Sequence, residues 1–244
     1  MKENEIIFGT RAIIEALKAG REIDKILMKR DFQSEISKEL FYKLKERNIP
    51  IQRVPVEKLD RITQKNHQGV IALLSSVTYQ SLSDIVPYVY EQGKDPFVVL
   101  LDGITDVRNF GAIARTCECA GVNALVIPSK GSVTVNADAM KTSAGALHTL
   151  PVCKEKTIKD AITFLKDSGF KIIAATEKGK ELYTTVDYNG PIAIVMGAED
   201  KGIAMDNLRF CDHLVSIPQF GQIGSLNVSV ATGIILYEVV RSRS

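Results

Sequence analysis

Residues 97–101, Phe-Val-Val-Leu-Leu, form an uninterrupted apolar run that constrains the fold more than any other stretch of the chain. The run is too short for a buried helix. With no polar position, it suits a strand covered on both faces, as in a parallel sheet. Residues 124–127, 149–153, 170–174, 191–196 and 213–217 read as further strands. Helical patterns fall between them at 110–120, 137–147 and 157–168, and a terminal helix spans roughly 225–240. Strand and helix alternating in this way imply an α/β fold with a doubly wound parallel sheet.

The first 75 residues repeat the alternation on a smaller scale. Residues 9–20 read as a helix with Thr10 as its cap and Gly20 as its stop. Strands are expected at 23–28, 50–54 and 70–74, an amphipathic helix at 34–47 and a short helix at 56–63, with a polar loop at 64–69. Residues 76–95 mix turn residues with one short amphipathic stretch and read as a linker. The expected organisation is therefore a small α/β domain over 1–75, a linker over 76–95 and a larger domain over 96–244.

Composition matters mainly for what it excludes. No apolar stretch approaches the roughly 20 residues needed to span a bilayer. The opening MKENEIIFGTRAIIEAL has no signal-peptide core. Cys117, Cys119, Cys153 and Cys211 are scattered, as are the three histidines, so reduced thiols and no metal site are expected. These features fit a cytoplasmic protein. Charge is nearly balanced: 16 basic and 14 acidic residues fall in 1–95, and 15 of each in 96–244. A nucleic-acid partner must therefore be held by a local basic patch.

Polar chemistry gathers at strand ends, in Asn109-Phe-Gly-Ala-Ile-Ala-Arg115, Met196-Gly-Ala-Glu-Asp-Lys-Gly202 and Ile217-Pro-Gln-Phe-Gly-Gln-Ile-Gly-Ser-Leu-Asn-Val-Ser-Val230. No G-x-G-x-x-G and no P-loop accompanies them. Gly197, Gly202, Gly221 and Gly224 either shape tight turns or let backbone approach a ligand. Asn109 is either a helix cap or a residue that orients an acceptor. Arg115, among small apolar neighbours, is either solvated or reaches into a cleft. Glu199 is either an exposed turn acid or a site residue. Ser225 and Asn227 stand where a helix start can orient a hydroxyl or phosphate, and Ser225 also suits an N-cap.

In order and spacing, these segments resemble motifs one, two and three of the SpoU family of RNA ribose 2′-O-methyltransferases. The resemblance implies a SPOUT-type parallel sheet whose C-terminal segment forms a deep trefoil knot, which connection rules alone would not propose. It implies S-adenosylmethionine as cofactor, held by Gly197, Ile217 and Leu226, with Met196 adjacent and Thr176 closing the pocket. It also implies a catalytic set of Arg115, Asn109, Glu199, Ser225 and Asn227. Guanidinium stays protonated, so Arg115 suits anchoring the target's phosphate better than acting as a base, with phosphate or water receiving the proton. Two departures stand out: Gln219 where related sequences usually carry Met, and Val107 where proline is common.

The N-terminal unit, through Ile7-Phe-Gly-Thr-Arg-Ala-Ile-Ile-Glu-Ala-Leu17 and Lys65-Asn-His-Gln-Gly-Val70, resembles the L30e-like substrate-binding domain fused to one branch of the family. Arg11, Lys65 and His67 are its candidate RNA contacts, to single-stranded or looped RNA; a turn histidine without a role is the alternative for His67. The layout points to the branch that modifies a guanosine of 23S rRNA. Transfer RNA as substrate, or a non-catalytic role in ribosome assembly, are the competing readings. The last helix is apolar on more than one face and the family's members are dimers, so a homodimer is expected.

Overall fold

Strands β1 (Ile6–Phe8), β2 (Ile23–Lys29), β3 (Ile51–Val54) and β4 (Val70–Leu74) make a four-stranded sheet in the order β1-β4-β2-β3. The computed structural model describes residues 6–32 and 37–243, so part of the helix expected over 34–47 lies outside the described residues. Strand β4 runs antiparallel to both neighbours, and β2 pairs with β3 in parallel. Side chains alternate across β4 with the period of a strand. Val70, Ala72 and Leu74 pack under α1 (Thr10–Lys18) and α2 (Ser37–Glu46), where Ile13, Leu17, Leu40 and Leu44 are buried. Ile71 and Leu73 face the other way, onto Leu59 of α3 (Val56–Ile62).

Two details differ from the sequence expectation. Strand β1 is three residues long, too short to carry a periodic signal. Thr10 does not cap α1: Gly9 holds the cap position at φ 86°, and Thr10 is the first helical residue, buried. The Thr10 N–H is instead met by Gln68 Oε1, 3.2 Å away on the 64–69 loop.

The second unit is built on a seven-stranded sheet, β7-β6-β5-β10-β8-β11-β9, with every neighbouring pair parallel. Its strands are β5 (Phe97–Asp102), β6 (Ala124–Pro128), β7 (Val152–Glu155), β8 (Lys171–Ala175), β9 (Glu181–Leu182), β10 (Ile192–Gly197) and β11 (His213–Ser216). On one face, α4 (Leu82–Glu91), α7 (Ile158–Asp167) and α8 (Met205–Leu208) bury Leu82, Ile85, Ile162, Leu165 and Leu208 against Val98, Leu100, Ile172 and Val195. On the other, α5 (Val107–Cys119) lies beside α9 (Val228–Arg243), and both contribute fully buried residues such as Ile113 and Ile235. Helix α6 (Ala137–Thr142) completes the set.

Residues 82–91, placed in a linker by composition, form helix α4. Leu82, Ile85, Val86 and Val89 have helical spacing and are buried in the second unit's core, with Pro87 accommodated inside the helix. The expected helix over 137–147 is interrupted at Ala144 and Gly145, both at positive φ, and resumes as a short 3-10 turn at Ala146–His148. As compact units, the first runs through Thr78 and takes in Thr134–Ala137; the second holds Tyr79–Val133 and the chain from Asp138 onward. No helix among the described residues is long and apolar enough to cross a membrane.

After β5 the chain builds outward through β6 and β7, then returns to fill the other side with β8, β10 and β11. The carboxyl ends of the strands beside such a reversal are where open α/β sheets bind ligands. Here those ends carry Asp102, Gly197, Ala175 and Ser216, and the segments that follow them.

Candidate active site

A cavity of about 370 Å³ opens at these strand ends. Thr176, Met196, Gly197, Ile217 and Leu226, the five residues expected to hold a cofactor, all line it, and so do Glu199, Gln219 and Ser225. Apolar walls from Met196, Val215, Ile217 and Leu226 combine with main chain from three loops, and the charged Glu177, Lys178, Asp200 and Lys201 complete the lining. Such a mixture fits a nucleoside carrying a zwitterionic amino acid: flat apolar surface for a base, main-chain groups for its edge, and charges of both signs for ammonium and carboxylate.

The local sequence explains how the loops take this shape. A Cβ at Gly197 would lie 2.2 Å from the carbonyl carbon of Gly202 and 2.3 Å from the amide nitrogen of Ile203, so only glycine lets the 198–202 turn fold back on β10. Gly202 closes that turn at φ +64°, its N–H donating to Ala198 O at 2.7 Å. Gly221 and Gly224 differ: neither has a positive φ, and open space surrounds both, so no turn requires them.

Asp102, which sequence reasoning passed over, holds the same loop from the end of β5. Its Oδ2 accepts from Ala204 N and from Asn207 Nδ2, both at 2.8 Å, and its carbonyl accepts from Ala198 N at 3.0 Å. The acid at the end of an apolar strand was the available signal.

Beside the cavity, three of the expected catalytic residues meet. Asn227 Nδ2 donates to Asn109 Oδ1 at 3.0 Å and to Glu199 Oε1 at 2.5 Å. The same Glu199 oxygen accepts from Val228 N at 3.2 Å, at the start of α9. Asn227 Oδ1 in turn accepts from the N–H and the hydroxyl of Ser229. Asn227 is therefore the residue capping α9, and the helix begins at Val228, which corrects the cap reading of Ser225. The cap reading of Asn109 fails as well. Asp106 caps α5, its Oδ1 accepting from Arg108 N and Asn109 N at 2.9 Å each, which leaves the Asn109 side chain for Asn227. Arg115 stands apart from this network, exposed on α5 and without a hydrogen bond or ion pair among the described residues.

In the first unit, Arg11 and Lys65 are exposed, at the start of α1 and on the 64–69 loop. His67 is not available to a nucleotide. It is 8% exposed, Nδ1 accepts Gly69 N–H at 2.9 Å, and Nε2 faces Asp60 Oδ1 at 2.9 Å, so the ring closes the loop from inside. Lys29, missed in the sequence, extends along Gly69, where a Cβ would lie 2.7 Å from its Cδ.

Comparison with known proteins gives a consistent picture. The profile described as the SpoU rRNA Methylase family matches residues 96–237, and one described as RNA 2′-O ribose methyltransferase substrate binding matches residues 6–80. A Bacillus subtilis protein, YacO, assigned to the TrmH family of tRNA/rRNA methyltransferases, is 32% identical over 243 residues, covering 100% of this chain and 98% of its own. An AdoMet-bound rRNA methyltransferase from Sinorhizobium meliloti superposes with a TM-score of 0.62 at 26% identity, over 97% of this chain and 87% of that one. The A. aeolicus TrmH/SpoU tRNA modifying enzyme gives 0.56 at 30% identity, over 66% of this chain and 84% of its own.

Proposed function

The chain belongs to the SpoU rRNA methylase family of RNA 2′-O-ribose methyltransferases, and from that membership we propose that it methylates a guanosine ribose of 23S rRNA, using S-adenosylmethionine. The observation that supports the methyl-transfer part of this reading is the Asn109–Asn227–Glu199 network beside a cavity lined by Thr176, Met196, Gly197, Ile217 and Leu226. S-adenosylmethionine, when bound, supplies an electrophilic methyl group on a sulfonium. The main chain around Gly197, Ile217 and Leu226 encloses the adenosine, and Met196 and Thr176 wall the pocket. Gln219, lining the cavity, adds an amide beside the cofactor.

Arg115 holds the target's phosphate. Its free guanidinium presents a fork of donors matched to phosphate oxygens and has no acceptor with which to take a proton. Ser225, on the cavity wall, orients the ribose, and Asn227 holds Asn109 and Glu199 in place beside it. Arg11 and Lys65 grip the RNA from the first unit, and His67 only shapes their loop.

The substrate-binding match over residues 6–80 supports an RNA partner, and the rRNA methylase profile over residues 96–237 supports reading that RNA as ribosomal. Family membership likewise supports a knotted C-terminal segment and action in the cytoplasm. On α9, Val230 and Tyr237 are about half exposed while Ile235, Leu236 and Val239 are buried, so the helix offers a second apolar face to a partner. We therefore take the protein to be a homodimer, and sedimentation at micromolar concentration should give twice the 26.8 kDa chain mass.

The deciding experiment is methyl transfer from tritiated cofactor to a 23S rRNA fragment and to bulk tRNA, with the methylated nucleotide mapped. Label on a ribose 2′-oxygen of the ribosomal fragment is expected. Label on tRNA alone would make tRNA the substrate, and cofactor binding without transfer to either RNA would favour an assembly role.

A further inference from the structure

We propose that Glu199 is the group that receives the proton of the ribose 2′-hydroxyl, an assignment that rests on the methyl-transfer reading above. Three carboxylates line the cavity: Glu177, Glu199 and Asp200. Of these, Glu199 alone bonds to Asn227, and through it is linked to Asn109, among the described residues.

The direction of every bond in that network follows from two backbone donors. Ser229 N–H can only donate, so the Asn227 atom it meets is Oδ1 and the amide nitrogen turns toward Glu199 and Asn109. That nitrogen has two hydrogens, and both are engaged. The Asn109 atom facing it is then the carbonyl oxygen, which directs the Asn109 NH₂ away from Asn227. On Glu199, Val228 N–H and the Asn227 amide both fall on Oε1. A proton on Oε1 would oppose two donors. Oε2 has no hydrogen-bond partner among the described residues and is the oxygen open to protonation.

The network therefore presents one free donor, Asn109 Nδ2, and one free acceptor, Glu199 Oε2. A hydroxyl that must be both oriented and deprotonated needs this pair. In the step that follows, the O2′–H bond breaks as its proton passes to Glu199 Oε2. The oxygen forms its bond to the methyl carbon, and the carbon–sulfur bonding pair stays on sulfur, leaving a neutral thioether. The proton then leaves Glu199 to water. Arg115, a donor without an acceptor, cannot take that role.

Glu199→Gln separates this role from a purely structural one. Glutamine keeps a carbonyl oxygen to accept from Asn227 and Val228 but puts an NH₂ where Oε2 stood. If Glu199 takes the proton, Glu199→Gln should lower kcat by about 100-fold or more. Cofactor affinity by calorimetry and RNA affinity should stay within about three-fold of wild type, and Glu199→Ala should be at least as inactive. A Glu199→Gln enzyme within about five-fold of wild type, beside an inactive Glu199→Ala, would show that the residue only anchors α9 and would overturn the proposal. Loss of cofactor affinity in Glu199→Gln sufficient to account for the lost rate would overturn it too. A wild-type protein that transfers no methyl group to any RNA would instead fail the functional reading, and this assignment with it.

Discussion

Neither Gly202 nor Ile203 can yield to a side chain at position 197 without reopening the 198–202 turn, because the atoms a Cβ would strike are backbone. Gly197→Ala should therefore destabilise the loop by about 1–3 kcal/mol, in the range for overpacking, and weaken cofactor binding at least ten-fold by calorimetry. Gly221→Ala, in open space and at an ordinary φ, should leave affinity within about two-fold. Arg115→Ala should abolish methyl transfer and leave cofactor affinity nearly intact, because its side chain lies outside the cavity lining. Arg115→Lys should restore little, lacking the planar fork. Retained activity within a few-fold of wild type in Arg115→Ala would remove this residue from the acceptor site. Asn109, Glu199 and Asn227 were singled out through the resemblance to the SpoU motifs, and the structure brings the three together. Their partners were not legible in the sequence. Asp106 and Asn109 are both good caps three residues apart, and only the point where the backbone enters the helix decides between them. His67 looked like a loop residue with a free ring because its inward turn depends on Asp60 and Gly69, which the linear pattern does not pair with it.

Elements with a strong periodic signal appear where the sequence puts them, and those whose identity depends on distant packing do not. Strands β6 and β10, and β5 up to Asp102, are continuous apolar runs and were plain, as was β8 despite Lys171 at its start. Helix α4 was hidden by its proline and by turn-forming neighbours, although its buried residues keep helical spacing; burial against the sheet outweighs the local preference. Strand β9, two residues long, and α8, four, carry too few positions to show a period. The tie from β5 to the 198–207 segment is also an element-scale fact, since residue 102 supports a loop about a hundred positions away. Asp102→Ala would leave the buried Asn207 amide without that acceptor and release Ala204 N–H, at about 1–3 kcal/mol. A fall of several degrees in Tm and weaker cofactor binding are expected, with part of both recovered in Asp102→Asn, which keeps one accepting oxygen. Unchanged Tm and affinity in Asp102→Ala would mean that the loop holds its shape without β5.

With 31 basic and 29 acidic residues, the whole molecule has little net field to draw RNA, so its grip has to come from where particular cations are held. The first unit holds several at one end. Gln68 ties the 64–69 loop to the start of α1, which brings the stretch bearing Lys65 against the helix turn bearing Arg11, and Lys29 lies along Gly69 of the same loop. Reversing Arg11 and Lys65 to Glu in the full chain tests whether this end recognises the substrate. Both residues are exposed, and Tm of the variant beside wild type checks that the fold is kept. Cofactor affinity and kcat at saturating RNA should stay near wild type, because the methyl-transfer residues belong to the second unit. KM for the 23S fragment should rise at least ten-fold. If each residue meets one phosphate of a single-stranded region, the salt dependence of log affinity should flatten by about 1.4. An unchanged KM and salt slope would mean that RNA is held elsewhere. A fall in kcat without a change in RNA affinity would mean that the two charges act on the catalytic unit and not on substrate capture.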